Sequence, residues 1–227
     1  MALGRPTRRS GRAEVSFERG DRRESAILDS LAGLLTTAPL KSITIGDIAK
    51  GAGISRPSLY FYFDSKAQVF CALLARTGYH RTPGFLLCAA DSEQPVAGQV
   101  QSIVRQTFRT WRENTVVLRR GFEAADDLDV ARQWQRTASD LTGLLAQWIA
   151  RCRATGLLTV TDETPLELAE SLLWLIEKSC YRLFSRATTL SEQNRRAVVL
   201  VELGRRMLGD DPVPAGAATG DTERPTR

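Results

Sequence analysis

Histidine is almost missing from this chain: His80 is the only one in 227 residues. The four cysteines, Cys71, Cys88, Cys152 and Cys180, lie far apart and form no CxxC pair. A zinc site needs such ligands clustered, so no metal is expected. General acid–base catalysis loses its commonest group with histidine. No nucleophile elbow and no glycine-rich phosphate loop replaces it, so no cofactor is expected and an enzyme is the weaker reading. The cysteines read as reduced packing thiols, with a redox switch as the alternative. No apolar run approaches the length of a membrane span. The arginine-rich N-terminus has no apolar core of an export signal, which leaves a cytoplasmic protein as the default. Alternating strand patterns and internal repeats are also absent. The chain reads as all-α.

Basic charge is present and unevenly placed. The net charge is +5. Residues 1–66 hold 11 basic and 7 acidic side chains, and the remainder hold 20 and 19. The excess therefore sits near the N-terminus, where attraction to phosphate would need it. Residues 1–20 carry Arg5, Arg8, Arg9, Arg12 and Arg19 with few apolar neighbours, and are expected to form a disordered basic arm. Such an arm can follow a phosphate backbone, or be no more than a solubilising tail. Residues 21–66 read as a first domain and 67–208 as a second. After Gly209 the composition turns to Gly, Pro, Ala and Thr, and 209–227 is expected to be a disordered tail.

The first domain shows three helices by period. Asp21 to Ala38 puts Ile27, Leu28, Leu31, Leu34 and Leu35 on one face. A second helix is expected from Thr44 to Gly51, with Thr44 as its cap and Asp47 in its first turn. Gly53 stands where the chain must turn through positive φ. Ser55 caps a third helix, and Pro57 is tolerated in its first turn. Leu59 and Phe63 face the core, leaving Arg56, Ser58, Tyr60 and Tyr62 to project elsewhere. Two helices about a short glycine turn are the helix-turn-helix layout. The same pattern also suits a plain helical hairpin packed in a core. Two tyrosines, an arginine and two serines off the buried face suit phosphate and base contacts.

The rest reads as a helical bundle. Ser65-Lys66-Ala67-Gln68 is a capping box opening a linking helix, which Pro83-Gly84 ends or kinks. Further helices are expected over Val96–Trp111, Val116–Arg120, Leu128–Ala154 and Thr164–Ser185, with a last one over Ser191–Leu208. Large aromatics are spread among them: Phe108, Trp111, Phe122, Trp134, Trp148, Trp174 and Tyr181. They either line a cavity or simply fill the core. Glu177 interrupts the apolar run Leu172-Leu173-Trp174-Leu175-Ile176. A carboxylate there has to be exposed, paired or functional.

Ile48-Ala49, Ala52-Gly53-Ile54-Ser55, Leu59-Tyr60, Phe63 and Ser65-Lys66 fall at the spacing of the TetR-family DNA-binding domain, which this stretch resembles. The run from Ala49 to Pro57 followed by Tyr60-Phe61-Tyr62-Phe63 looks most like the EthR-type branch of mycobacterial repressors. The resemblance implies an N-terminal three-helix helix-turn-helix domain and a larger C-terminal bundle for ligand binding and dimerisation. It implies DNA contacts at Thr44, Ser55, Arg56, Ser58, Tyr60, Tyr62 and Lys66. Arg56 and Ser58 are the candidates for base edges, and Thr44, Tyr60 and Lys66 for phosphate. Phe61 stands where the family is often polar and suits a thymine methyl. A hydrophobic tunnel is implied along Phe108, Trp134, Ala138, Leu141, Leu144, Leu145, Trp148, Leu173, Ile176, Glu177 and Tyr181. Leu173 and Ile176 replace two asparagines of that branch, so a less polar pocket is expected, with Glu177 favouring a cation or a hydroxyl donor. A homodimer is implied through the last two helices, by way of Leu166, Ala169, Leu172, Leu173, Ile176, Ala197, Val198, Val201 and Leu208. The implied partners are a palindromic double-stranded operator and a small hydrophobic effector. A ligand-free structural DNA-binding protein is the alternative.

Overall fold

The computed structural model describes residues 10–79, 95–124 and 127–210, with 10–20 given by backbone alone. All regular elements among them are helices: α1 (Ser10–Thr37), a 3-10 turn (Leu40–Ser42), α2 (Ile45–Gly51), α3 (Arg56–Tyr60), α4 (Lys66–Arg76), α5 (Val96–Glu113), α6 (Thr115–Glu123), α7 (Leu128–Ala154), α8 (Pro165–Phe184) and α9 (Leu190–Met207). The all-α expectation holds, with a helix-turn-helix followed by a larger bundle. Residues 1–9, the Pro83-Gly84 break, His80, Cys88 and residues 211–227 lie outside the described residues.

Several boundaries differ from the sequence reading. Helix α1 begins at Ser10 rather than Asp21, so residues 10–20, read as part of a disordered arm, are helical. Helix α4 stops at Arg76, before Pro83-Gly84, because Gly78 takes φ +72° just beyond its Thr77 cap. Helix α9 starts at Leu190 instead of Ser191. Its cap is Thr189, whose side chain exchanges hydrogen bonds with Glu192 in a capping box. Thr164 and Glu167 form the equivalent box at α8, with Pro165 in the first position. The expected box at α4 is only half formed. Ser65 Oγ accepts from the Gln68 amide, but the Gln68 side chain pairs with Asp64.

One buried cluster joins the two parts of the chain. It runs from Ile27, Leu31, Leu35, Ile48 and Leu59 through Phe70 and Leu73 to Phe108, Trp111, Leu118, Leu141 and Phe184. Helix α4 belongs to both halves, packing on α1 on one side and on α6 and α7 on the other. A second cluster at the far end gathers Val96, Val100, Trp148, Ile149, Leu168, Ala169, Leu172 and Leu208. There Trp148 is fully buried and donates from Nε1 to Gln99 Oε1 at 2.8 Å.

Aromatic rings pack closely where α4, α6, α7 and α8 meet. Phe122 lies edge-on to Trp134 at 4.6 Å and stacks on Tyr181 at 5.1 Å. Trp134 also stacks on Tyr79 at 5.7 Å. This approach is possible because residue 121 is glycine. A Cβ there would lie 2.6 Å from Trp134 Cζ3 and 3.0 Å from Cε3. Gly121→Ala gains up to about 1 kcal/mol in helix propensity. It must displace a ring wedged between two others, an overpacking cost of about 1–3 kcal/mol. A net loss is expected, read as a lower urea midpoint at unchanged m-value.

Candidate nucleic-acid interface and interior cavity

The turn between α2 and α3 is fixed by its own hydrogen bonds. Gly53 takes φ +66°. Its amide donates to Lys50 O at 3.1 Å, and the Ile54 amide donates to Ala49 O at 3.0 Å. These are the two bonds of a Schellman motif, which ends α2 and turns the chain. Thr44 opens α2 with a full capping box. Its Oγ1 accepts from the Asp47 amide, and its own amide donates to Asp47 Oδ2 at 2.9 Å. The hydrogen bond from the Thr44 hydroxyl holds the exposed Asp47 carboxyl below its ordinary pKa. Ser55 caps α3 by accepting from the Ser58 amide, and the two hydroxyls lie 2.8 Å apart in a further hydrogen bond.

Helix α3 is only five residues long, shorter than the sequence pattern suggested. Leu59 (fully buried) and Phe63 anchor it in the core. Arg56 and Tyr60 are exposed, with Ser58 and Tyr62 half-buried beside them. Arg56 has no ion pair among the described residues, and its stem lies over Gly46 of α2. Phe61 is 90 % exposed, with its ring edge-on to Tyr62 at 6.1 Å. Thr44, Ser55, Arg56, Ser58, Tyr60 and Tyr62 thus cluster around one exposed helix and its caps. Lys66 has a task the sequence did not reveal. Its ammonium donates to Leu40 O at 2.7 Å and Ile43 O at 2.9 Å, closing the turn before α2 onto the start of α4. These two bonds use two of the three N–H donors of its ammonium.

The interior cavity is smaller than the tunnel that was expected, about 40 Å³. It is lined by Tyr79, Ile103, Thr107, Leu141, Leu145, Leu173 and Ile176. Four expected residues are among these. Phe108 instead lines an outer groove between α5 and α9, and Trp148 belongs to the distal core. Trp134 and Tyr181 are held in the aromatic stack, while Ala138 and Leu144 lie outside the lining. Tyr79 was missed because it follows the α4 cap with no helical period to mark it. It donates its hydroxyl to Glu177 Oε1 in the interior. Burial pushes the Glu177 carboxyl up from its ordinary value, and the Tyr79 hydrogen bond offsets part of that. Burial also pushes the thiol of neighbouring Cys180 far up. Cys71, Cys152 and Cys180 are free thiols.

The face of α8 and α9 is only partly as expected. Leu166 and Val198 are exposed, but Ala169, Leu172 and Leu208 are buried within the protomer and belong to its own core. Leu173, Ile176, Ala197 and Val201 are half-buried against the same interior. Trp174, read as lining a cavity or filling the core, is 74 % exposed, and Leu190, Val199 and Leu203 stand out with it. Period alone could not say which of two apolar stripes on α8 faces inward.

Residues 27–73 match the family described as bacterial regulatory proteins, tetR family. The chain is similar to the HTH-type transcriptional regulator EthR of Mycolicibacterium smegmatis, at 31 % identity over 168 residues, 70 % of this chain and 74 % of that protein. It is 36 % identical over 135 residues to EthR of Mycobacterium tuberculosis, covering 58 % of each, so it spans less than two thirds of that relative's length. Its fold is similar to that of NalD, the secondary repressor of the MexAB-OprM multidrug efflux pump in Pseudomonas aeruginosa. There the TM-score is 0.69 at 20 % identity, covering 85 % of this chain and 99 % of that one.

Two outcomes follow from the geometry. Lys66→Met removes two charge-assisted hydrogen bonds from a half-exposed site, and a stability loss of about 1–2 kcal/mol is expected in thermal unfolding. Glu177 has a folded pKa above its ordinary value of 4.5, so its contribution to stability is whole below that value. The contribution is lost as pH rises through the folded pKa. Glu177→Gln, which cannot ionise, should therefore gain stability relative to wild type as pH rises above the ordinary carboxylate value, read in urea melts across a pH series.

Proposed function

The chain belongs to the TetR family of bacterial regulatory proteins, and we propose that it is a DNA-binding transcriptional regulator that represses from a palindromic operator and is released by a small hydrophobic effector. It works as a regulator and not as an enzyme. Residues 21–66 act as the reader of DNA and 67–208 as the effector-binding and dimerising body, in a cytoplasmic protein. The observation that carries the reading is the exposed surface of α3 with its caps. It presents an arginine with no ion pair among the described residues, together with hydroxyls and aromatic rings, on a helix, the element a major groove is wide enough to admit.

Arg56 and Ser58 read base edges, while Thr44, Tyr60 and the third N–H of Lys66 hold phosphate. Ser55 and Tyr62 support the same face, and Phe61 offers an apolar contact. The Thr44 hydroxyl already donates to Asp47 at 2.7 Å, so its contact requires that bond to be exchanged. Two copies join through the exposed apolar residues of α8 and α9, led by Trp174 and Val198. Their readers then meet grooves one turn apart or a multiple of that, about 34–36 Å per turn.

Helix α4 supports a route between effector and DNA. Lys66 at its start clasps the reader, and Tyr79 just past its end forms part of the cavity wall. A molecule of drug size needs several hundred Å³, so its entry has to part these walls and move Tyr79. The coupling expected for such a device is about 1–3 kcal/mol. The close packing of Trp134 and Trp148 favours a second reading, a DNA-binding protein with no effector.

Fluorescence anisotropy with DNA flanking the protein's own gene, across a salt series, tests the reading. Wild type should bind more tightly than to a scrambled duplex and weaken steeply with salt. Arg56→Ala should lose about 1–3 kcal/mol on the operator, beyond any loss on the scrambled duplex. Equal, weak binding to both duplexes would contradict it.

A further inference from the structure

Glu177 is the one buried carboxylate among the described residues, 7 % exposed and a single step along α8 from the cavity wall at Ile176. Its partner is the neutral Tyr79 hydroxyl, and among the described residues no cation reaches it. The adjacent Lys178 is exposed and lies 5.3 Å over the Tyr181 ring instead. A phenol offsets only part of what desolvating a carboxylate costs. An ammonium would offset more, since opposite charges attract strongly where water is excluded.

The cavity beside this pair is otherwise apolar. Ile103, Leu141, Leu145, Leu173 and Ile176 form most of it, and the Thr107 hydroxyl is turned back onto Ile103 O at 2.9 Å. Tyr79 belongs to this wall, and its hydroxyl is turned past the cavity onto the Glu177 carboxylate, which lies behind the lining. Its rings can move only as a set, because Tyr79 stacks on Trp134 and Trp134 packs on Phe122.

We infer that the cavity takes an amphiphilic amine, whose ammonium displaces the Tyr79 hydroxyl from Glu177 while its alkyl part lies among Leu141, Leu145, Leu173 and Ile176. The inference rests on the reading of the body as effector-binding and adds the charge of the ligand. It also gives displacement of Tyr79, and with it a pull on the end of α4, a chemical cause.

Three probes of equal chain length test it by isothermal titration calorimetry: octylammonium, octanol and octanoate. Wild type should bind octylammonium at least about tenfold more tightly than octanol, with octanoate weakest. Glu177→Gln should remove the preference for the amine and leave octanol unchanged. Tyr79→Phe removes the competing donor and should tighten the amine at least about threefold with little effect on octanol. Octanol binding as tightly as the amine, or an amine preference that survives in Glu177→Gln, would overturn the inference while leaving the effector reading intact. Failure of all three probes to bind would overturn both. Should Glu177→Gln fail to fold, Tyr79→Phe decides, and an amine affinity unchanged or weakened there overturns the inference.

Discussion

A five-residue helix cannot hold its own shape in water, because nucleating the first turn costs more than so few hydrogen bonds return. Everything the proposed reader does depends on how α3 is held from outside. Leu59 and Phe63 sink its inner face into a core built by α1, α2 and α4. The Schellman turn at Gly53 sets its angle to α2, and the Ser55 cap fixes where it begins. Lys66 closes the far side by tying α4 to the turn before α2. The orientation of Arg56 and its neighbours is thus a property of the whole small domain.

The same dependence carries into the body through α4. Its Phe70 is fully buried and reaches to 3.6 Å from where a Cβ on Gly121 would stand. Gly121 in turn admits Trp134, which stacks on Tyr79, which hydrogen-bonds Glu177. Arg120 of α6 adds a second tie, donating to Leu35 O near the end of α1 at 3.3 Å. Packed side chains of this kind cannot deform continuously, so a molecule that parts the cavity wall has to shift the set. That gives the proposed effector a physical route to α3 without assigning it any contact there.

Local chemistry was well written in the sequence. Thr44 with Asp47, Gly53 and Ser55 each act through neighbours three or four residues away, and each was legible. What stayed hidden depends on distant partners. Nothing near Lys66 indicates that its ammonium binds carbonyls at Leu40 and Ile43. Tyr79 gave no signal, since its meaning comes from Glu177, 98 residues on. Helix α8 carries apolar residues nearly all round, so period could not tell the exposed Trp174 from the buried Leu172. The hydrophobic tunnel was inferred from resemblance to relatives, and among the described residues side-chain packing leaves a cavity of about 40 Å³ there.

The central claim is that two copies of α3 read a symmetric site in the major groove. Selection of bound duplexes from a random pool, followed by guanine N7 methylation interference, tests it most directly. The account predicts a two-fold symmetric consensus with interference in both half-sites, their centres a whole number of helical turns apart. An unenriched pool, or bound sites that tolerate N7 methylation throughout, would contradict it.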